Sequence, residues 1–374
     1  MQSSHVQRLR YAVIGAGAGI FNSHRAPLAQ PEVELVGVSD INLAKGQKVA
    51  AEYGCAFYED YRLMLAETRP DVAVLLTPPF LHASMACACF EAGCHVLTEK
   101  PMAIQINEAD EMIAAAKRHQ RLLGVILQQR NRPEIQEARR LLGEGMIGEL
   151  QRVEFTAVWT RPTSYFAMAP WRATWTGEGG GVLTNQASHN LDLLCYLVGS
   201  PTRLFAWTRR LLHQIETEDT VQAQMEWANG ALGSLHISTA EADDSERIKL
   251  VGTRGILEIG HGKLLAQTNE MDIREYARVT QNPYGALPRA PLAINVEPGP
   301  ANHLPVYRSF HNAVISQSSD YCDGEQARAE LELANAIIYS NYTHREVELP
   351  LDGQAYAALL ADLQHQSRAS QESA

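Results

Sequence analysis

Short apolar runs alternate with helix-forming segments through the first third of the chain. Residues 9–14, 33–38, 71–76, 94–98 and 123–127 form these runs, which are followed by glycine, proline or polar residues. Runs of this kind are typical of parallel strands buried on both faces. Intervening segments with helical periodicity predict a doubly wound α/β sheet, which we place at residues 1–125.

The pattern changes to a period of two from about residue 149. Segments 150–160, 203–211, 220–227, 231–239 and 247–251 are predicted strands, and Asn229-Gly230 is a plausible hairpin turn. We therefore expect a second, α+β domain at residues 126–374, built on a large, mainly antiparallel open sheet. Residues 269–302, rich in Pro, Asn and Gly, are typical of a long loop.

A glycine turn follows the first apolar run and precedes a predicted helix. It contains Gly15, Gly17, Ala18, Gly19 and Ile20. Glycines permit a tight turn and let backbone amides approach a pyrophosphate at a helix N-terminus, so the turn predicts a Rossmann dinucleotide site. The pattern departs from G-x-G-x-x-G because Ile20 takes the third position. We expect the packing of helix on strand to accommodate this larger side chain.

An aspartate follows the second predicted strand. Asp40 lies about 20 residues beyond the glycines, where an acid binds the ribose 2′-hydroxyl of a dinucleotide. Its charge would repel a 2′-phosphate, so the sequence predicts NAD, with NADP less favoured. The alternative is that Asp40 caps the helix predicted from residue 42.

The apolar run at residues 94–98 ends in Glu99-Lys100-Pro101. Ligands of doubly wound sheets bind at the carboxyl ends of the strands, so Lys100 is expected at the mouth of that crevice. A lysine there can polarise a substrate oxygen or lower the pKa of a neighbouring base. The alternative is a solvated lysine at a strand end.

Three glycines, Gly179 to Gly181, precede a helix predicted to reach about residue 198. Asn185, His189 and Asp192 lie at i, i+4 and i+7 and are predicted on one helix face, apart from an apolar stripe. Histidine exchanges a proton near neutral pH, although a packed structural histidine is the alternative. No metal site is predicted, because no second histidine accompanies His189 at helical ligand spacing.

These motifs together resemble the glucose–fructose oxidoreductase / inositol dehydrogenase / rhizopine-catabolism (Gfo/Idh/MocA) family. The matching motifs are the glycine turn, Thr77-Pro78-Pro79 with His82, Glu99-Lys100-Pro101, the glycines before His189 and Asp192, and Asp323-Gly324-Glu325. The resemblance covers nearly the whole chain. It implies NAD(P)-dependent redox chemistry on a sugar, sugar acid, glycoside or cyclitol. It also implies homodimers or homotetramers joined through the second sheet.

The resemblance also implies roles for single residues. Lys100 and His189 become the catalytic pair, Glu99 touches the nicotinamide ribose, and Arg130 reaches the substrate. The other residues that this likeness places at the cofactor are Thr77, Pro78, Pro79, His82 and Gln128.

Asn185 departs from the family pattern, in which many members have an aspartate. A neutral amide can orient His189 or bind a hydroxyl, but it does not stabilise an imidazolium as a carboxylate does. The Asn185-Gln186 form resembles members that handle uronic acids and nucleotide sugars.

Aromatic and cationic residues stand upstream of the three glycines. The aromatic faces of Trp171 and Trp175 can pack against the apolar side of a sugar ring, and the Arg172 guanidinium can bind an anionic group of the substrate. Ordinary packing around a loop is the alternative for all three.

Composition excludes several other classes of protein. The chain has 374 residues and a net charge of −11, which argues against nucleic acid or anionic membrane as the main partner. No apolar run approaches the ~20 residues needed to span a bilayer, and the start lacks the apolar core of a secretion signal. Six cysteines without CxxC spacing indicate a reducing compartment, so the cytoplasm is predicted.

The sequence thus predicts an NAD(P)-dependent sugar or polyol dehydrogenase. His189 would take the hydroxyl proton, and Lys100 would hydrogen-bond the same oxygen. Two alternatives remain open: a glycosidase that uses NAD for transient sugar oxidation, and a non-catalytic regulator that binds NAD or sugar.

Overall fold

The computed structural model describes residues 7–372, which form two compact units. The first unit extends to Gln128 and takes in Asn302–Leu331, whereas the second contains Gln129–Ala301 and the chain from Glu332 onward. The sequence predicts a single division near residue 125. The return of Asn302–Leu331 is not visible in the pattern, because helical periodicity does not reveal which core a helix packs against.

A parallel sheet of six strands forms the first unit. The strands are β1 (Leu9–Ile14), β2 (Val33–Ser39), β3 (Ala56–Tyr58), β4 (Val72–Leu75), β5 (His95–Thr98) and β6 (Leu123–Val125). Their order is β3-β2-β1-β4-β5-β6, and all pairs are parallel. Tyr11, Val13, Val72 and Val74 have no solvent exposure, which is why the strands read as continuous apolar runs. The predicted doubly wound sheet is confirmed.

Helices follow the strands in the first unit. They are α1 (Phe21–Leu28), α2 (Leu43–Tyr53), α3 (Tyr61–Thr68), α4 (His82–Glu91) and α5 (Ile106–Arg118). The side-chain oxygen of Asn42 accepts from the Lys45 amide at 3.1 Å and caps α2, which ends at Gly54 with φ 64°. Since Asn42 caps this helix, the alternative role of Asp40 as its cap is wrong.

The second unit contains a sheet of nine strands, and the prediction of a large, mainly antiparallel sheet is confirmed. Its strands are β7 (Leu150–Val158), β8 (Arg203–Arg209), β9 (Thr220–Glu226), β10 (Leu232–Ser238), β11 (Glu246–Gly252), β12 (Gly255–Gly260), β13 (Lys263–Asn269), β14 (Arg289–Leu292) and β15 (Val347–Glu348). The order is β14-β13-β12-β11-β7-β10-β9-β8-β15. Within the described part of this second sheet, only β7 and β10 pair in parallel.

The remaining helices follow in chain order. They are α6 (Pro133–Gly143), α7 (Thr163–Phe166), α8 (Ser188–Val198), α9 (Ile273–Val279), α10 (His303–Ser316), α11 (Gly324–Thr343) and α12 (Gly353–Glu372). No helix within residues 7–372 is long and apolar enough to cross a membrane.

Residues 269–302 are not the continuous loop that the sequence predicts, because they contain α9 and β14. The Asp272 carboxylate caps α9 by accepting from the Arg274 amide at 2.9 Å. Strand β14 is exposed and depends on antiparallel pairing with β13, a tertiary contact that local composition does not reveal.

Candidate active site

The predicted cofactor residues gather at one edge of the parallel sheet. Each of five strands is followed at its carboxyl end by a predicted site residue. These are Gly15 after β1, Asp40 after β2, Thr77 after β4, Glu99-Lys100 after β5 and Gln128 after β6. The strand order reverses between β1 and β4, which pair directly. Doubly wound sheets bind their ligands at such a reversal, so this edge is the candidate cofactor crevice.

The glycine turn has the geometry of a cradle. Gly15 has φ 90°, and a Cβ atom there would lie 2.9 Å from the carbonyl carbon of Leu76. The Gly17 amide donates to Oδ2 of Asp40 at 2.7 Å, and a Cβ on Gly17 would lie 2.9 Å from that oxygen. A Cβ on Gly19 would meet nothing within 4 Å. The turn therefore leaves open space beside exposed backbone, which fits a bound pyrophosphate.

Ile20 does not lie between helix and strand. It is 39% exposed and precedes α1, whereas Phe21 is 2% exposed and belongs to the core. Ala18 closes the turn through its amide, which donates to the Gly15 carbonyl at 3.1 Å. The expectation that the packing accommodates Ile20 is wrong, because the helix begins one residue later and buries Phe21 instead.

The loop after β4 has a polar atom suited to a ligand. Oγ1 of Thr77 is buried and has no hydrogen-bond partner among the described residues. Buried hydroxyls are rarely left unpaired, so this atom fits a position beside a cofactor. Pro78 follows in an extended conformation, and Pro79 begins a 3₁₀ turn that ends at Leu81.

His82 supports the crevice from within the core. It has no solvent exposure, and its Nε2 and Nδ1 atoms lie 2.8 Å from the Thr77 carbonyl and 2.9 Å from the Pro101 carbonyl. Burial lowers the pKa of His82, which favours the neutral ring. The ring of His82 thus lies between the loops of Thr77 and Pro101, and its contact with the cofactor stays a prediction.

Glu99 is an internal residue that binds two histidines. Its Oε1 atom accepts from Nε2 of His24 at 3.0 Å and from Nε2 of His303 at 3.2 Å, while Oε2 accepts from the Lys100 amide at 3.1 Å. Burial opposes ionisation of Glu99, but the two histidine hydrogen bonds outweigh it and lower the pKa. Glu99 therefore anchors the loop that carries Lys100, and its contact with the ribose stays a prediction.

The sequence pattern does not reveal this trio of buried side chains. His24 lies on the buried face of α1, where it also bonds the Tyr307 hydroxyl at 2.8 Å, and His303 opens α10. The ligand-type atoms of His24, Glu99 and His303 lie within 4.8 Å of one another, close enough for a metal ion. The hydrogen bonds to Glu99 already satisfy these groups.

Residues 182–198 are not one α-helix. Val182–Gln186 forms a π-helical turn, in which the Ala187 amide donates to the Val182 carbonyl at 2.7 Å, and α8 follows. Glu218 stabilises this turn because its Oε1 atom accepts from the amides of Gly181 and Leu183 at 2.8 and 3.1 Å. Burial raises the pKa of Glu218 to about 7.

Asn185, His189 and Asp192 have different environments. Asn185 and His189 are half-buried, whereas Asp192 has no exposure and pairs with Arg130, whose Nη2 lies 2.6 Å from Oδ1. Asn185 belongs to the π turn and so lies outside α8, whereas His189 and Asp192 are three residues apart within α8. Arg130 is 8% exposed, and its guanidinium carbon lies 4.7 Å from the centroid of the Tyr196 ring. Its contact with the substrate stays a prediction.

Asn185 is held by a buried acid that the sequence analysis missed. Its amide donates to Glu178, which is 1% exposed and also accepts from the Ala173 amide at 2.5 Å. Glu178 precedes the three glycines and lies in no periodic segment, so no sequence signal identifies it.

The two tryptophans of this region differ in role. Trp175 is 4% exposed and packs edge-to-face on Tyr342 at 5.7 Å, so the hypothesis that it handles sugar is wrong. Trp171 is half-buried, and the guanidinium of Arg172 lies 4.8 Å from its ring. Trp171 and Arg172 remain candidates for substrate contact.

Family models match both parts of the chain. Residues 9–127 match an oxidoreductase family with an NAD-binding Rossmann fold, and residues 135–258 match the GFO/IDH/MocA C-terminal domain. The WlbA dehydrogenase from Chromobacterium violaceum, solved with NADH and UDP-GlcNAcA, is 30% identical to this chain. Its TM-score is 0.81, and the alignment covers 92% of this chain and 97% of that one.

Curated relatives include two dehydrogenases. D-glucoside 3-dehydrogenase of Escherichia coli K12 is 31% identical over 52% of this chain and 55% of the relative. The scyllo-inositol 2-dehydrogenase (NAD(+)) of Bacillus subtilis 168 is 26% identical over 68% of this chain and 74% of the relative.

Proposed function

Because this chain belongs to the Gfo/Idh/MocA family of NAD-binding oxidoreductases, we propose that it oxidises a secondary hydroxyl of a sugar, sugar acid, glycoside or cyclitol. The observation that carries the proposal is the sheet edge where the glycine turn, Thr77 and Lys100 follow β1, β4 and β5. The cradle at Gly15 and the buried Thr77 hydroxyl fit a dinucleotide there. Bound nicotinamide would supply the hydride acceptor.

Lys100 and His189 are the proposed catalytic pair. His189 takes the hydroxyl proton during oxidation, and Lys100 donates a hydrogen bond to the same oxygen and stabilises its developing negative charge. Asn185, held by Glu178, orients the sugar or His189. Trp171 and Arg172 contact the substrate beyond the reacting carbon.

A substrate panel tests this function. Purified protein is incubated with NAD and with polyols, glycosides and sugar acids, and we expect NADH formation with a matching ketone or lactone product. Release of aglycone without net NADH would favour the NAD-assisted glycosidase. NAD binding without turnover across the whole panel would favour a regulator and refute the dehydrogenase.

We propose NAD, rather than NADP, as the cofactor because of the charge on Asp40. Asp40→Asn keeps an acceptor for the ribose but removes the negative charge that would repel a 2′-phosphate. We expect the ratio of kcat/KM for NADP to that for NAD to rise on the order of tenfold, as the loss of one close charge repulsion allows. Steady-state kinetics with both cofactors measure this ratio.

Asp60→Asn is the matched control for this prediction. Asp60 is an exposed aspartate of the same unit, whose side chain caps α3 by accepting from the Arg62 amide at 2.8 Å. Its substitution should leave the cofactor ratio unchanged. An unchanged ratio in Asp40→Asn would remove the assignment of Asp40 to cofactor selection.

We also propose a homodimer or homotetramer joined through the nine-stranded sheet, and a cytoplasmic location. The support for assembly is that Trp207, Leu232 and Leu265, on β8, β10 and β13, are 45%, 61% and 63% exposed in the single chain. We propose that an interface between copies of the chain covers these side chains. The cysteine spacing supports a reducing compartment.

A further inference from the structure

The second unit contains a group of side chains that hydride transfer itself does not require. The guanidinium carbons of Arg161 and Arg172 lie 5.3 and 4.7 Å from the ring centroid of Tyr165. Arg161 also lies 5.9 Å from the ring of Trp159, and Arg172 lies 4.8 Å from the ring of Trp171. These five residues are called the arginine–aromatic cluster.

Three N–H groups of this cluster are buried without an acceptor. They are Nε1 of Trp159, Nε of Arg161 and Nε of Arg172, and none has a hydrogen-bond partner in the part of the chain that the structure describes. Folded proteins pair nearly all buried donors. Three unpaired donors in one cluster therefore indicate an acceptor that comes from outside the chain.

The cluster carries more positive charge than its surroundings neutralise. Nη1 of Arg172 lies 3.7 Å from Glu178, and Arg161 forms no ion pair within residues 7–372. Glu178 also accepts from Asn185 and from the Ala173 amide. Stacking on an aromatic ring stabilises a guanidinium but does not neutralise its charge. Of the two guanidinium groups, Arg172 alone thus has a carboxylate partner within the described residues, in a protein whose net charge is −11.

Hydrogen bonds within the chain hold the backbone of Arg161. The Arg161 amide donates to the Thr239 carbonyl at 3.0 Å, and its carbonyl lies 2.8 Å from Nε2 of His213. The ring of Phe166, at the end of α7, packs 4.6 Å from the ring of His213. A site held in this way loses little conformational freedom on binding.

We propose that the arginine–aromatic cluster binds an anionic substituent of the substrate, a carboxylate or a phosphate, and that Arg161 sets the preference for it. A guanidinium presents a planar fork of donors that matches either anion. Arg172, Glu178 and Asn185 are in consecutive contact, which links the cluster to the turn before His189. This inference rests on the proposed function, since it specifies the substrate class of the same site.

Matched sugars test the cluster by kinetics. A panel of aldohexoses is assayed with NAD, each as the parent sugar, the uronate and the 6-phosphate. We expect kcat/KM for one of the anionic forms to exceed that of its parent sugar at least about tenfold, as removal of a buried charged hydrogen bond would predict. The form that shows the preference identifies the anion as carboxylate or phosphate.

Arg161→Met should lower the anionic-to-parent ratio at least about tenfold, through KM, by removing the charged donor. Arg161→Lys keeps a charge but lacks the fork, so it should lower the ratio as well. Arg278→Met, at an exposed arginine of α9, is the control and should leave the ratio unchanged. Equal kcat/KM for anionic and parent sugars, or a ratio unchanged by Arg161→Met, would overturn the inference.

Calorimetry separates this inference from the proposed function. The same sugars are titrated into NAD-loaded protein, with no requirement for turnover. Selective binding of the anionic form that is lost in Arg161→Met supports the cluster, even if no sugar is oxidised and the proposed function fails. Sugar oxidation without anion-selective binding would leave the proposed function intact and refute the cluster.

Discussion

We expect Lys100→Met to lower kcat/KM for sugar oxidation by roughly 10²–10⁴, while the Kd for NAD stays within about threefold of the wild-type value. Lys100 follows β5 at the carboxyl edge of the parallel sheet, and its backbone amide is anchored by Glu99. Its ammonium group would stabilise negative charge that develops on the substrate oxygen only during the reaction. NADH formation gives the rate, and calorimetric titration gives the affinity for NAD.

Lys117→Met is the control for this experiment. Lys117 is an exposed lysine of the same unit that pairs with Glu325, so its loss should change neither parameter. If Lys100 and His189 act as a unit, the double variant Lys100→Met/His189→Asn should lower kcat/KM about as much as the more harmful single substitution does. Turnover of Lys100→Met within a few-fold of wild type would remove Lys100 from the catalytic pair.

The fold is readable from the sequence where local and tertiary signals agree. The strands of the parallel sheet are buried on both faces, so β1 and β4 appear as uninterrupted apolar runs. The glycine turn is equally evident in the sequence. Gly15 has φ 90° and lies against the backbone of Leu76, so only glycine fits there. Asp40 is detectable as well, because one strand–helix–strand unit sets its spacing from the glycine turn.

The candidate site is less readable, because its details depend on residues distant in sequence. The π turn before α8 forms where Glu218, more than 30 residues downstream, accepts two of its amides. His24 and His303 bind Glu99 from α1 and α10, and neither has a motif that marks it. The spacing of Asp192 within α8 is visible in the sequence, whereas its ion pair with Arg130, 62 residues away, is not. Local pattern thus predicts which segments carry the candidate residues but not which side chains contact each other.

The pair formed by Arg130 and Asp192 leads to the largest expected effect on stability. Asp192 has no exposure, and Arg130 holds it through Nε at 2.9 Å and Nη2 at 2.6 Å. Arg130→Met would leave a buried carboxylate without its cation, and we expect the free energy of unfolding to fall by about 3–5 kcal/mol. Arg130→Met/Asp192→Leu should recover most of this loss, because an apolar pair of similar volume needs no ionic partner. Guanidinium denaturation measures both variants.

Arg140→Met, at an exposed arginine of α6 in the same unit, provides the matched control. Arg140 is exposed and pairs with Glu137 and Glu144, so solvent screens its contribution and we expect no measurable change. A loss in Arg130→Met no larger than in Arg140→Met would contradict the role assigned to the buried pair.

The pH dependence of Arg130→Met follows from the same burial. Burial raises the pKa of Asp192, and in the wild-type protein Arg130 opposes that rise. Without Arg130 the pKa in the folded state rises further above the unfolded value, so the folded variant binds a proton more readily than the unfolded chain. Its stability relative to wild type should therefore recover as the pH falls from neutral through the raised pKa of the folded state, where protonation removes the buried charge. A gap between variant and wild type that stays constant over this range would show that the carboxylate is not the source of the loss.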